Sequence, residues 1–467
     1  MAWMLAFAAA CSPPEEDAIV LRVATLNIEY GGTLADFDDI VAAADALDAD
    51  VIGVEEAWGR LPELAGALGW PYHDVATQVI SRFPLLHPPG DDRTATLVEV
   101  APGRVVAIGN VHLPSDPYGP YLALDGASAA EILALEEEVR VPMLLEALAP
   151  LTELVDQGIP AFLVGDFNAP SHLDWTEQAV GSEPQIAFPL AWPVSVVAEE
   201  AGFRDSWRDV YPDPVAVPGH TWPAARPFVE GTWNPAPDEP HDRIDRVLAA
   251  GASATLASER AGEAGIAEIG LDPYPTDHRA VVSTFVVWPA APPSLVSVSP
   301  RVVSAGEPAE VRAFGPGTRI ELRSDGAAVR SWPSSAVTVD TAGLAGRYEL
   351  ALVGDGDVAA AEVWVLGPGE GTALSVDGGA AVEPLTVRWT GSPGNRWDWV
   401  AVYRRDADPA DGAYLTWAYT GASVTGEVMF DETSPGRWPL AAGEYTAWLL
   451  ADDSYGALAE VPFEVGD

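Results

Sequence analysis

Apolar positions in the first 288 residues follow two repeats in turn. Phe37, Ile40, Val41, Ala44 and Leu47 recur at the three-and-four spacing of one helix face. They lead into Val51-Ile52-Gly53-Val54, a short unbroken apolar run of the kind a strand buried on both faces shows. VLRVATLNI (20–28) and RVVAIGNVHL (104–113) read as further strands, Ala129 to Val155 predicts a second helix, and Ala161 to Val164 predicts a buried strand before Gly165. Strands alternating with helices predict an α/β domain over 18–288. From Trp288 the chain passes through the proline-rich PAAPPS and helical spacing stops. Strand and turn patterns follow in two units, Pro293 to Leu366 and Thr372 to Val465, separated by Gly-Pro-Gly-Glu-Gly. Each has the length of an immunoglobulin-like sandwich, so the expected domains are 18–288, 293–368 and 372–467.

Met1 to Ala10 is apolar, ends in small residues and runs into Cys11. It is too short for a spanning helix, which needs about 20 apolar residues, and suits a secretory segment of roughly 7–15. It resembles a bacterial lipoprotein signal with Cys11 as the lipidated residue, although no positive region precedes it and Ala8 stands where leucine is usual. Residues 1–17 are therefore expected to be a signal or lipoprotein segment and linker, and the protein to be extracytoplasmic, lipid-anchored through Cys11 or secreted. Cys11 is the only cysteine, which excludes an intrachain disulfide framework and a cysteine-cluster metal site.

The chain carries 70 acidic and 24 basic residues for a formal charge of −46, and every basic residue is arginine. Such a surface repels a polyanion, so nucleic acid is not the favoured partner. All seven histidines precede residue 289, which places acid–base and metal chemistry in the first domain.

Within that domain, carboxylates, amides or a histidine stand at the ends of predicted strands in TLNIE (25–29), GVEEAW (53–58), GNVHL (109–113), LVGDFNAP (163–170) and PTDHRAV (275–281). HDRIDRVL (241–248) adds Asp242 and Asp245. Each segment alone reads as an ordinary turn. As an ordered set they resemble the endonuclease/exonuclease/phosphatase superfamily, the DNase I-like fold, over about residues 19–288, and Ile80-Ser81-Arg82-Phe83-Pro84-Leu85 is similar to another of its recurring segments. The resemblance implies a four-layered αββα sandwich followed by the two all-β immunoglobulin-like domains, and metal-dependent hydrolysis of a phosphate ester.

By the same resemblance Glu56 is the principal metal ligand, with Asn27 nearby and Asp277 contributing directly or through water. Asp166 orients or deprotonates the attacking water, Asn168 donates to phosphoryl oxygens, and His278, held by Asp245, faces the phosphate. His112 donates to the phosphate or assists the leaving group, and Glu29 is a candidate for a second ion. The donor types suit Mg²⁺ or Mn²⁺, as one ion or two. Relatives commonly have Gln before the metal-binding Glu, and this chain has Glu55, so the choice of Glu56 over Glu55 rests on alignment.

His73, His87, His172 and His220 read mainly as structural or solvated, with His172 and His241 as rim residues. The aromatic stretch Trp207 to Trp233 reads first as a packed loop that borders the cleft at most. Residues 383–404 with Tyr414–Trp417 and Gly443–Ala447 resemble a SKICH-like β-sandwich whose Trp and Tyr positions are core positions first. The functional expectation is a monomeric phosphoesterase acting on small or lipid-derived substrates, with a membrane surface or phospholipid as partner. The alternatives are a secreted DNase I-like endonuclease and a catalytically inactive surface-binding protein.

Overall fold

A computed structural model of the chain describes residues 18–88, 93–236, 238–335, 338–379 and 383–466. The expected signal segment, Cys11 included, lies outside them. Residues 19–287 supply β1 (Ile19–Asn27), β2 (Val51–Glu55), β3 (Tyr72–Asp74), β4 (Val79–Ser81), β5 (Leu85–Leu86), β6 (Thr96–Ala101) and β7 (Arg104–His112). They continue with β8 (Ala161–Asp166), β9 (Arg204–Asp205), β10 (Asp245–Ala250), β11 (Ser253–Glu263), β12 (Ile269–Leu271) and β13 (Ala280–Val287). These form two sheets, β12-β11-β13-β1-β2-β4-β3 and β5-β6-β7-β8-β10-β9.

The central strands are apolar on both faces because each sheet is covered on both. Leu21, Val23, Val51, Ile108, Phe162, Val164, Val247 and Phe285 fill the space between the sheets. Their strand neighbours Ala24, Leu26, Ile52 and Val54 pack outward under the helices Phe37–Ala46 and Leu61–Ala67. Ala107, Leu163 and Leu248 pack outward from the other sheet under three helices, Ala129–Val139, Val141–Asp156 and Pro193–Glu200. The result is the four-layered αββα sandwich. A slip of one residue in any central strand would exchange its two faces, so the register is fixed by two cores at once. Gly53 permits the close approach of the sheets: a Cβ there would lie 2.5 Å from Val164 Cγ2 and 2.7 Å from Asn110.

The helix expected over Ala129–Val155 is two helices, meeting at Arg140. Pro142 lacks an N–H to continue the ladder. Arg140 is wholly buried, donating to Glu136 Oε1 at 2.6 Å and to the carbonyls of Ser115 and Pro117 at 3.2 and 2.8 Å. It ties the break to the loop after β7.

Two β-sandwiches follow. In the first, the strands Leu295–Ser299, Ala309–Phe314 and Thr338–Val339 face a five-stranded sheet around Val298, Val311, Ile320, Leu350 and Val363. In the second, Ala373–Asp377, Leu385–Thr390 and Gly426–Phe430 face Thr416–Tyr419, Trp399–Arg404, Gly443–Leu450 and Ala457–Val465. Trp389, Trp399, Tyr403 and Tyr445 are buried there, in core positions. Among the described residues no helix is long and apolar enough to cross a membrane.

Candidate active site

Strand register brings the predicted residues to one end of the two sheets. β1 and β2 run parallel with Asn27 opposite Glu55, and β7 and β8 run parallel with His112 opposite Asp166. The antiparallel β10 sets Asp245 opposite the same Asp166, and β13 begins two residues after His278.

Glu55 and Glu56 separate cleanly. Glu55 is the last residue of β2 and lies in the interior, where Thr25 Oγ1 is 2.9 Å from both carboxylate oxygens. Burial, reinforced by Asp245 and Asp166, pushes its carboxyl well above the usual range. Glu56 sits in the left-handed region at φ 55°, which turns its side chain to the cleft. There Oε2 accepts from Tyr30 N at 2.7 Å and Oε1 from Asn27 Nδ2 at 3.2 Å.

Asn27, expected beside the metal, bridges the acids of the site. Its Oδ1 accepts from Glu29 N at 2.9 Å, while Nδ2 spans the acids, 3.2 Å from Glu56 and 3.3 Å from Asp166. It holds two carboxylates at a set separation. Asn168, expected to donate to phosphoryl oxygens, places Nδ2 on Leu113 O at 2.9 Å and on Asp166 Oδ2 at 3.2 Å. Its backbone N–H also donates to Asp166 Oδ1 at 2.8 Å. Asp166 is thus gripped by both amides. Gly165 precedes it at φ 138°, where a Cβ would fall 2.0 Å from Val111 O, so the strand reaches the site only with glycine there.

Asp245 and His278 form the closest ionisable pair of the site, Nδ1 lying 3.1 Å from each carboxylate oxygen. Nε2 of the ring is 3.7 Å from Asp166 Oδ2. Burial opposes charging of His278, but Asp245, Asp277 and Asp166 outweigh it and hold the imidazole well above its ordinary pKa. His112 closes the other side, with Nε2 3.7 Å from Asp166 Oδ2 and 3.8 Å from Glu56 Oε1. Burial pushes the Asp166 carboxyl up against the pull of His278 and His112. Asp277 is buried, and its Oδ1 has no hydrogen-bond partner.

Several contributors carried no sequence signal. Trp222 Nε1 donates to Asp277 Oδ2 at 3.3 Å, and its ring stacks on Trp233 at 5.6 Å, so the aromatic loop borders the site. Thr276 Oγ1 donates to Asn27 O at 2.9 Å, tying the Asp277-His278 segment to the end of β1. Glu29 is not disposed toward a second ion: both its oxygens are taken by Arg226. His172 and His241 do not reach the cluster. The former pairs with Glu199 at 3.0 Å, and the latter lies 5.8 Å from the His220 ring.

A family profile described as endonuclease/exonuclease/phosphatase matches residues 24–278. An uncharacterized protein of Caenorhabditis elegans is 30% identical over 245 residues, covering 48% of this chain and 77% of that protein. Among solved structures, an endonuclease/exonuclease/phosphatase from Beutenbergia cavernae aligns over 96% of this chain and 100% of its own at 16% identity, with a TM-score of 0.33. A truncated TDP2 of C. elegans aligns over 57% and 98% at 17% identity and a TM-score of 0.34. An AP endonuclease from Archaeoglobus fulgidus aligns over 56% and 98% at 17% identity and a TM-score of 0.34.

Proposed function

The chain belongs to the endonuclease/exonuclease/phosphatase family, whose members hydrolyse phosphoesters, and from that premise we propose a phosphoesterase that uses Mg²⁺ or Mn²⁺. Its substrates on this reading are phosphodiesters or phosphomonoesters of small or lipid-derived molecules. The observation that carries the reading is the convergence of Glu56, His112, Asp166 and the Asp245–His278 pair on one point between the sheets. An inactive binding protein has no use for buried Asp166, Asp245 and His278 crowded beside half-buried Glu56 and His112.

The donor set fits a hard divalent ion. Asp277 Oδ1 is buried without a hydrogen bond, 3.9 Å from His278 Nε2, and the like charge of Glu56 bears on Asp277, so a cation shared by Glu56 and Asp277 would relieve both. Glu56 and Asp277 would hold the ion. A second donor group, Asp166, Asp245 and His278, has its atoms within 4.8 Å of one another. There, however, His278 Nδ1 already faces Asp245, which reads as a histidine and its orienting acid. When bound, the ion neutralises the phosphoryl oxygens.

The chain's own groups supply the rest. Asp166, fixed by Asn27 and Asn168, accepts a proton from the attacking water and aims its oxygen at phosphorus. His278, with Nδ1–H on Asp245, presents Nε2–H to a non-bridging oxygen as charge builds there. The bond from phosphorus to the leaving oxygen breaks, and His112 donates to that oxygen. A panel of bis(p-nitrophenyl) phosphate, a monoester, sphingomyelin, inositol phosphates and plasmid DNA, with Mg²⁺, Mn²⁺ or EDTA, tests the proposal. EDTA-sensitive turnover of a small ester supports it, preference for DNA selects the endonuclease instead, and silence from folded protein overturns it.

We read the two C-terminal sandwiches as immunoglobulin-like and SKICH-like, the last one holding a monomeric enzyme at a membrane surface or phospholipid. The support is the alternation of Trp and Tyr over 383–404 and the apolar segment before Cys11. Loss of the membrane-bound fraction on Cys11→Ser, together with vesicle co-sedimentation, checks the anchor and the lipid separately.

A further inference from the structure

The loop Ala451–Gly456 of the last sandwich leaves its own domain and meets the active-site turns. Asp452 is buried. Its Oδ1 accepts from Gln78 Nε2 at 2.6 Å and its Oδ2 from Gly59 N at 3.2 Å. Gly59 stands three residues after Glu56 on the same turn, and Gln78 O accepts from Val54 N of β2 at 2.9 Å. The loop is also pinned from behind. Asp452 N donates to Asp398 Oδ1 at 3.1 Å, Asp453 N to Trp397 O at 2.8 Å, and Trp399 Nε1 to Ser454 O at 3.0 Å. Aromatic edges continue the contact: Tyr30 to Trp58 at 5.0 Å, Trp58 to Tyr455 at 6.1 Å, and Tyr455 to Trp399 at 5.9 Å.

Asp453 is the residue this scaffold presents. It is exposed, and its Oδ1 accepts from Tyr419 Oη at 2.8 Å. The protein packed around this solvent-reaching carboxyl pushes its pKa up, the Tyr419 hydrogen bond and the charge of His112 pull it down, and the charge of Glu56 raises it. Those two residues belong to the catalytic cluster, and Asp452 and Tyr455 on either side of Asp453 seat the loop on Gly59 and Trp58 of the turn that carries Glu56, so the loop borders the cleft from another domain.

We infer that this loop is a wall of the catalytic cleft and that Asp453, braced by Tyr419, filters substrates by charge, disfavouring those with a second phosphate beside the scissile one. The inference rests on the phosphoesterase reading of the site. A phosphate bound between Glu56 and His278 leaves its alcohol portion to pass the wall. A neutral or cationic portion meets no penalty from a carboxylate there, whereas a further phosphate is repelled.

The test uses two substrates that differ by one anion, thymidine 5′-(p-nitrophenyl phosphate) with and without a 3′-phosphate. In the full chain, Asp453→Asn keeps the Tyr419 hydrogen bond and removes the charge. It is expected to raise kcat/KM for the 3′-phosphorylated ester relative to the other by about five-fold at low ionic strength, the gain fading at 1 M salt, where screening acts within about 3 Å. Asp453→Glu is expected to keep the wild-type ratio. An unchanged ratio in Asp453→Asn, or a change indifferent to salt, overturns the filter. Should the wild-type chain turn over neither ester, the phosphoesterase reading is decided separately by the substrate panel. The filter is then judged by calorimetric binding of thymidine 5′-phosphate and thymidine 3′,5′-bisphosphate, where the same shift in ratio must appear.

Discussion

Asp242 offers the clearest quantitative prediction. Its side chain is buried between Tyr118, whose hydroxyl donates to Oδ2 at 3.0 Å, and Gln185, whose Nε2 is 3.3 Å from Oδ1. Neither partner is a cation, so burial dominates and lifts the carboxyl from 3.8 to about 7. The native state therefore holds a proton that the unfolded chain has released between pH 4 and 7. Stability linked to this proton is complete below pH 4, falls as pH rises through the window, and is gone above about 7. At about 1.4 kcal/mol for each pKa step of one, the difference amounts to about 4 kcal/mol.

Asp242→Asn removes the titration and keeps the shape. Gln185 Oε1 is buried without a partner and can take a proton from the new amide, and the Tyr118 hydroxyl can reverse and accept. The backbone pairing of Asp242 with Trp222, which steadies the indole on Asp277, is untouched. Urea unfolding of both proteins from pH 4 to 8 isolates the one group by difference, although some 70 acids titrate in each. The variant should match the wild type near pH 4 and gain steadily to as much as about 4 kcal/mol at pH 8, with phosphoesterase turnover retained. A gap of the same size at both ends of the range, or a variant less stable at pH 8, refutes the reasoning.

Asp245→Asn leaves His278 without the acid that fixes its tautomer, and kcat should fall roughly 10²- to 10⁴-fold on bis(p-nitrophenyl) phosphate with an unchanged circular dichroism spectrum; a loss under ten-fold counts against the pair. Glu56→Gln should raise the Mg²⁺ concentration for half-maximal turnover at least about ten-fold, whereas Glu55→Gln should not, because Glu55 faces Thr25 in the interior. Gly165→Ala should cost about 3 kcal/mol or more in thermal or urea unfolding, since the added methyl meets Val111 O at 2.0 Å; a soluble, equally stable variant would show that β7 and β8 can part.

The layers of the first domain were legible because their signals are local. The helix Phe37–Ala46 and the strand Val51–Glu55 each bury a face whose period shows in consecutive residues. The break at Arg140 was not, since an arginine in a helical run looks like solvent-facing charge, and only the fold shows it enclosed with Glu136. At the site, the residues at strand ends were readable as an ordered set, but their orientation was not. The turn of Asn27 and Asn168 toward Asp166 depends on hydrogen bonds spanning two sheets and the loop after β7. Trp222 and Arg226 come from an aromatic, proline-rich loop, and Asp453 comes from another domain. Contacts such as Arg226 to Glu29, 197 residues apart, leave no trace in spacing.

The distribution of arginine bears on the metal proposed for the site of this acidic chain. Three arginines near the site residues are closed on carboxylates of their own. Arg226 closes on Glu29, Arg279 on Glu263 at 2.6 and 2.7 Å, and Arg60 on Glu63 at 2.8 and 2.9 Å. Arg246, next to Asp245, points to the opposite face of its strand, over the Phe167 ring at 4.2 Å. Among the carboxylates of Glu56, Asp166, Asp245 and Asp277 stand the imidazoles of His112 and His278, and the charges of Arg226 and Arg246 act on Asp277 and Asp166 from outside the cluster. On the proposed reading, a divalent ion held by Glu56 and Asp277 would offset the negative charge that a phosphoryl transition state brings to these carboxylates. On the same reading one ion would compensate one phosphate, and the remainder of a polyanionic substrate would face Asp453 and a chain of charge −46.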